Sequence, residues 1–325
     1  MATIIAECCQ NHKGDLGLLK EMIWAAAEAG ADYVKIQSIL ADELTKRGRF
    51  EEGILEEGVQ KAIRRPYRYE YERLKSMDLD NNTHVWFVEE CQKANVMPLT
   101  TVFTRSRIPF LASLPWSAVK VASYDCASYP LLRELMEHFD HLYISTGATY
   151  DREVTQAAQV LGGFSYTFLH CVTVYPTPLN ESNFSKIDFL RQFTPSVGFS
   201  DHSMVSCDGL KASLVALWLG VDVIERHFTL LDSQDTKDGP VSIHAEQLRT
   251  LTQYSRMSKN DLETAVREQV GDPSYMLGSA RRTLSPMEKL NRDYYRGRFA
   301  SRVGGRVVYN WEGIQDAKFA IDPST

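Results

Sequence analysis

The sequence predicts a (β/α)8 TIM barrel with a short C-terminal extension. Three observations predict it. Eight short apolar runs alternate with helical patterns over most of the 325 residues, two helix exits are alike, and two of the runs end in histidine. Such alternation argues for βα units around a parallel sheet, and eight units close a barrel.

The expected strands cover residues 3–8, 33–37, 97–101, 118–121, 142–145, 166–170, 196–199 and 222–227. The helices between them repeat apolar residues at three-and-four spacing, as in Leu18-Leu19, Met22-Ile23 and Ala26, and in Leu131-Leu132 with Leu135-Met136. Both matching exits, Ala29-Gly30-Ala31-Asp32 and Leu219-Gly220-Val221-Asp222, place glycine where a helix C-cap wants positive φ. Residues 40–79 are longer than one helix needs, and their centre, Arg64-Arg65-Pro66-Tyr67-Arg68-Tyr69-Glu70, mixes cations with aromatics. Two readings remain open there, an insertion over the barrel mouth and a solvated helical hairpin. Near Val270 the barrel pattern stops, which divides the chain into a catalytic barrel, 1–270, and an extension, 271–325, expected as a packing arm.

Composition narrows the function. With 44% hydrophobic and 24% charged residues the chain is globular, and a net charge of −6 without a long basic run excludes a nucleic-acid footprint. None of the six cysteines falls in a C-x-x-C pair, so they read as buried thiols in a reducing cytoplasm. The N-terminus enters a strand at once and no run approaches a membrane span. A cytoplasmic protein without a membrane partner is expected.

His202 closes Gly198-Phe199-Ser200-Asp201-His202, and His227 closes Val223-Ile224-Glu225-Arg226-His227, with one amphipathic helix, roughly 207–219, between them. Both imidazoles should therefore stand at the C-terminal ends of neighbouring strands, where barrel enzymes build their sites. They could share a metal; the alternative is that each merely hydrogen-bonds a loop, which two histidines at matching strand ends disfavour. The last polar residues around the ring are Glu7, Lys35 with Gln37, Thr101, Lys120 with Ser123, Ser145, His170, Ser200 with His202, and His227. Lysine is expensive to bury without an anion. Lys35 and Lys120 interrupt apolar runs, and either an ion pair with Glu7 or Asp125 or a bound anion would satisfy them. The hydroxyls of Ser145 and Ser200 and the Gly147 turn favour the anion.

These segments resemble the N-acetylneuraminate (sialic acid) synthase family. Ile5-Ala6-Glu7 followed by Asn11-His12 and Gly14 resembles its opening I-A-E-x-x-x-N-H-x-G, and Val34-Lys35-Ile36-Gln37 its V-K-x-Q. Thr100-Thr101-Val102-Phe103, Lys120-Val121-Ala122-Ser123, Ser145-Thr146-Gly147, His170-Cys171 with Tyr175-Pro176, Ser200-Asp201-His202 and Glu225-Arg226-His227 follow in family order. The resemblance implies condensation of phosphoenolpyruvate with an N-acylated amino sugar to give a nonulosonic acid and phosphate, in a cytoplasmic homodimer serving surface polysaccharide.

By the same resemblance, His202 and His227 would hold a divalent metal, manganese. Lys35, Thr101, Lys120, Ser123, Ser145 and Ser200 would hold phosphoenolpyruvate, and Gln37, Tyr175 and Asp238 would meet the sugar or the metal. Glu7 matches a first-strand carboxylate suited to proton handling. Three departures stand out. Ser123-Tyr124-Asp125 replaces the family's G-E, so Asp125 would act one methylene short; Thr173 replaces an asparagine at the sugar; and the extension is too short for the antifreeze-like domain whose arginine reaches the partner's site. Arg292, Arg296 or Arg298 could fill that role. The acceptor therefore stays open, including a sugar phosphate, and a non-catalytic barrel that acts as a binding partner is the reading from another class.

Overall fold

In a computed structural model, which describes residues 1–313, eight parallel strands close the predicted barrel. They are β1 (Thr3–Cys9), β2 (Tyr33–Ser38), β3 (Met97–Val102), β4 (Val119–Val121), β5 (Leu142–Ser145), β6 (Tyr166–His170), β7 (Val197–Asp201) and β8 (Val223–His227). Each strand pairs with the next, and β1 closes on β8 through Thr3 to Val223 and Glu7 to His227. Two of the expected strands, 142–145 and 166–170, coincide with these, and the other six differ by one or two residues at one end or both. None of the helices among the described residues is long and apolar enough to cross a membrane.

The barrel interior follows from the two-residue period of the strands. Ile5, Tyr33, Leu99, Ala118, Tyr143, Leu169 and Val223 point inward and form one buried apolar plug. Gly198 takes the β7 position of this layer, where a Cβ would stand 2.3 Å from Leu169 Cδ2 and 2.8 Å from Val223 Cβ. Two residues further along each strand the inward position is polar, so the plug carries the site as its upper layer. Outward residues such as Ile4, Val34, Ile36, Phe168 and Ile224 pack on the surrounding helices.

The helix Leu16–Glu28 shows the local logic. Asp15 caps it by accepting from the backbone N–H groups of Gly17 and Leu18 at 2.8 and 3.1 Å, and Leu19, Met22, Ile23 and Ala26 form its buried face. It stops at Gly30, whose φ of 88° is open to glycine and costly for other residues. The helix predicted over 207–219 breaks at Gly209 into Val205–Asp208 and Lys211–Trp218.

Residues 40–79 are not a helical hairpin. They form an antiparallel two-strand hairpin, Ile54–Glu56 with Val59–Ala62, followed by one helix, Tyr67–Lys75. This insertion and the C-terminal arm strap to each other across the barrel mouth. Leu44 pairs with Phe299, Arg47 donates to the carbonyls of Tyr294 and Arg296, and Phe50 packs with Ala62 and Tyr294. The arm helix Pro286–Tyr295 starts at a Ser285/Glu288 capping box. Its Met287, Asn291 and Tyr295, spaced by four, face the cavity.

Candidate active site

The upper layer opens into a cavity of about 460 Å³, within the roughly 300–1,000 Å³ of small-molecule sites. Glu7, Lys35, Gln37, Thr101, Lys120, Ser123, Asp125, Ser145, Tyr175, Ser200, His202, His227 and Asp238 all line it. The structure thus brings together every candidate residue except Thr173. That side chain is fully buried beside Gly147, whose added Cβ would meet Thr173 Cγ2 at 2.6 Å, and its backbone carbonyl accepts from Asn291. It lies beyond the strand end, where no period fixes its direction. His170 also turns away from the site, because Leu169 holds the inward position of β6; its Nε2 lies 2.7 Å from the Ser182 carbonyl oxygen.

On the floor, ammonium and carboxylate groups alternate. Lys120 donates to Glu225 Oε1 and Oε2 at 2.9 and 3.1 Å, and Ser200 donates to Oε1 at 2.7 Å. Lys35 lies 3.3 Å from Glu225, donates to Thr101 at 3.0 Å and contacts Glu7. Burial alone would raise the Glu225 carboxyl, but the charges of Lys120 and Lys35 outweigh it and hold the group well below the usual carboxylate range. Burial also pulls the Lys35 ammonium down to about 7; Glu225 opposes this and Lys120 adds to it. The ion-pair reading thus holds for Lys35 with Glu7, whereas Lys120 pairs with Glu225 and not with Asp125. The same lysines are the only cations on the floor among the described residues to which an entering anion could bind.

Above this floor lies a metal-ligand set. Ligand atoms of Cys9, His227 and Asp238 all fall within 4.8 Å of one another. The His202 ring centroid is 5.5 Å from that of His227, and Tyr175 packs on His202 at 4.2 Å. Burial, with the neighbouring His227, lowers His202 to about 3, so its imidazole is neutral and able to ligate. Its Nδ1 lies 3.1 Å from the Val172 carbonyl oxygen, an acceptor that requires the proton on Nδ1 and leaves Nε2 basic. His227 Nδ1 is buried without a hydrogen-bond partner. An orphaned nitrogen beside a thiol and a carboxylate fits a divalent ion, and the soft thiol suits zinc or iron better than manganese.

Two residues in this site were not read as functional from the sequence. Glu225 was masked by its neighbours in Glu225-Arg226-His227, yet it shares the inward face with Val223 and His227. Cys9 passed for an inert thiol. It sits at φ 47° after a register shift in β1 that also turns it inward, and Gln37 Nε2 donates to its sulfur at 3.1 Å. A non-glycine residue held there is sterically costly, a feature that concentrates at functional positions.

Asp125 lines the cavity while its Oδ1 accepts from Ser128 at 2.8 Å and Asn310 at 3.0 Å. Burial raises its carboxyl, against the lowering effect of those two donors. Among the arm arginines, Arg292 and Arg296 are occupied by Glu153, whereas Arg298 reaches the cavity.

Comparison with known proteins agrees with this geometry. The NeuB family model matches residues 22–267. The N,N'-diacetyllegionaminic acid synthase of Campylobacter jejuni is 32% identical over 79% of this chain and 76% of its own length. The N-acetylneuraminate-9-phosphate synthase of Drosophila melanogaster is 31% identical over 77% of this chain and 66% of its own. Among solved structures, the spore coat polysaccharide biosynthesis protein SpsE of Bacillus subtilis superposes with a TM-score of 0.70 at 28% identity, covering 90% of this chain and 77% of that one. Matched by the family model over residues 22–267, most of its length, this barrel belongs to the NeuB family.

Proposed function

We propose that this enzyme condenses phosphoenolpyruvate with the aldehyde of an N-acylated amino sugar, releasing phosphate and a nonulosonic acid used in surface polysaccharide. The observation that carries the reading is the buried pair Lys35 and Lys120 in one cavity with Thr101, Ser123, Ser145 and Ser200, with the Cys9, His227 and Asp238 set and with His202 beside His227.

The lysines would exchange Glu7 and Glu225 for the carboxylate and phosphate of the donor, and the hydroxyls would fix its orientation. Cys9, His227, Asp238 and His202 would hold the divalent ion, which would supply polarisation of the aldehyde. A bond forms between C3 of phosphoenolpyruvate and the aldehyde carbon, whose oxygen takes a proton. Water then adds at C2, and the C2–O bond to phosphate breaks as the ketone forms. Lys35 and Lys120 neutralise the departing phosphate, and Asp125 or Glu7 moves the proton to or from water. Gln37 and Tyr175 would border the sugar. We further propose that the enzyme works as a homodimer in the cytoplasm, with residues 271–313 acting as an arm of the barrel rather than a separate domain.

The test supplies the purified chain with phosphoenolpyruvate, a divalent ion and a panel of N-acetylmannosamine, its 6-phosphate and diacetamido-trideoxyhexoses, reading phosphate release and product mass. Acceptor-dependent phosphate with a product weighing the sugar plus pyruvic acid is expected. Phosphoenolpyruvate left intact with every sugar would sink the reading in favour of a non-catalytic barrel.

A further inference from the structure

We infer that the mouth of the cavity is a second anion subsite, built by Arg73, Lys237 and Arg298, that takes a phosphate on the acceptor at the end remote from its aldehyde. The inference rests on the synthase reading above and narrows its substrate class. All three cations line the cavity, as does Arg65 at the rim.

The charge arithmetic is unusual. Arg73 donates through Nη2 and Nε to Glu70 at 2.9 and 3.0 Å, and Arg298 donates to the same carboxylate. Lys237 stands beside both arginines and Glu70, within the range at which their charges act on it. It makes no hydrogen bond or ion pair among the described residues, and Arg298 Nε is buried without a partner. Arg73 and Arg298 share one carboxylate and Lys237 pairs with none; with Asp238, the other carboxylate near Lys237 and Arg73, placed in the metal-ligand set, the excess positive charge suits a phosphate monoester of about −1.5 to −2. Like charges gathered without an anion are unfavourable, so the cluster favours an anionic occupant.

The donor does not need this cluster, because the floor already offers Lys35 and Lys120. Position within the loop points to the acceptor instead. Asp238 accepts from Cys9 in the metal-ligand set, while the adjacent Lys237 joins the arginines. An acceptor with its aldehyde at the first group would extend its far end toward the second. The insertion supplies Arg73 and Glu70, and the arm supplies Arg298, so the strap across the mouth has a recognition role as well as a packing one.

The test compares kcat/KM for N-acetylmannosamine 6-phosphate and N-acetylmannosamine in the metal-loaded full chain, with neutral diacetamido-trideoxyhexoses alongside. Loss of a charge-paired contact predicts a preference of roughly tenfold or more for the phosphorylated sugar. Lys237→Ala, at an exposed position without bonds to lose, should largely erase that preference. Equal use of neutral and phosphorylated sugar, or a preference untouched by Lys237→Ala, overturns the subsite and leaves the synthase reading intact. No turnover with any sugar overturns the synthase reading and the subsite with it.

Discussion

Lys120 donates to both carboxylate oxygens of Glu225, so the floor of the cavity is already charge-paired before any substrate enters. The carboxylate is shared, since Ser200 donates to Oε1 and Lys35 lies 3.3 Å from Oε2. Phosphoenolpyruvate must therefore compete with Glu225 and Glu7 for the ammonium groups. Removing Lys35 would also strand the buried Glu7 carboxylate, which destabilises by about 3–5 kcal/mol, whereas Glu225 without Lys120 keeps Lys35 and Ser200. Lysine variants must be read on folded protein.

Donor binding should depend on pH through Lys35. Because burial lowers this ammonium to about 7, it is charged below that pH and loses its charge above it, so affinity for phosphoenolpyruvate is expected to fall as pH rises through neutrality. Glu225→Gln removes a charge that favours the ammonium, and the fall should move to lower pH. Lys35→Ala or Lys120→Ala should weaken binding roughly tenfold or more. Calorimetry across this range checks both effects; affinity independent of pH, with both alanine variants unchanged, would make the lysines structural.

The metal assignment has a spectroscopic signature. Chelation should abolish turnover, and divalent ion should restore it except in the double variant His202→Ala/His227→Ala. If Cys9 ligates, the cobalt-loaded protein should show a thiolate-to-metal charge-transfer band that Cys9→Ser lacks. Cobalt binding with no such band would remove Cys9 from the ligand set, and full activity of the histidine double variant would end the metal reading.

The strap across the mouth should fail in acid through Glu70. Burial would raise this carboxyl, but the hydrogen bond from Arg73 and the charges of Arg298, Lys237 and Arg73 hold it at about 2, against an ordinary value of 4.5. With its folded-state value depressed, Glu70 contributes stability that is fully present above about 4.5 and is lost as pH falls toward about 2. The contribution is on the order of 1–3 kcal/mol. Urea unfolding of the wild type and Glu70→Gln should differ most near neutrality and converge as the pH is lowered. A constant gap would place the stabilisation elsewhere.

Strand polarity explains what the sequence disclosed. Ile5 then Glu7, Tyr33 then Lys35, Leu99 then Thr101, and Ala118 then Lys120 repeat one pattern, an apolar plug residue followed two positions later by a site residue. That period made most of the floor legible. Glu225 escaped because three polar residues in succession hide which of them face inward, and Cys9 because the β1 register shift breaks the period. Thr173 was misplaced for lack of any strand to orient it. The Ile54–Glu56 and Val59–Ala62 hairpin is mostly exposed and left no clear alternation. Only contacts distant in sequence, such as Glu70 with Arg298, single out which arm arginine reaches the cavity.

Asp125 is the carboxylate best prepared to move a proton. Glu7 and Glu225 are neutralised by lysines, whereas Asp125 is bonded to the neutral donors Ser128 and Asn310, and burial raises its carboxyl toward the range in which general acids and bases work. Its short side chain is anchored at Oδ1, so its reach is fixed. Errors of about 1 Å in such placement can cost roughly a hundredfold in rate. Asp125→Asn is therefore expected to cut turnover sharply while phosphoenolpyruvate still binds, because the amide can occupy the same space but neither gains nor loses a proton near neutral pH. Asp125→Glu should also lower activity on the native acceptor, since the longer chain must abandon Ser128 or Asn310 or intrude on the sugar. Steady-state turnover paired with donor titration separates the two effects. Wild-type turnover in Asp125→Asn would exclude this carboxylate and leave Glu7, which accepts from the Cys9 backbone N–H at 2.5 Å, as the proton-transfer group.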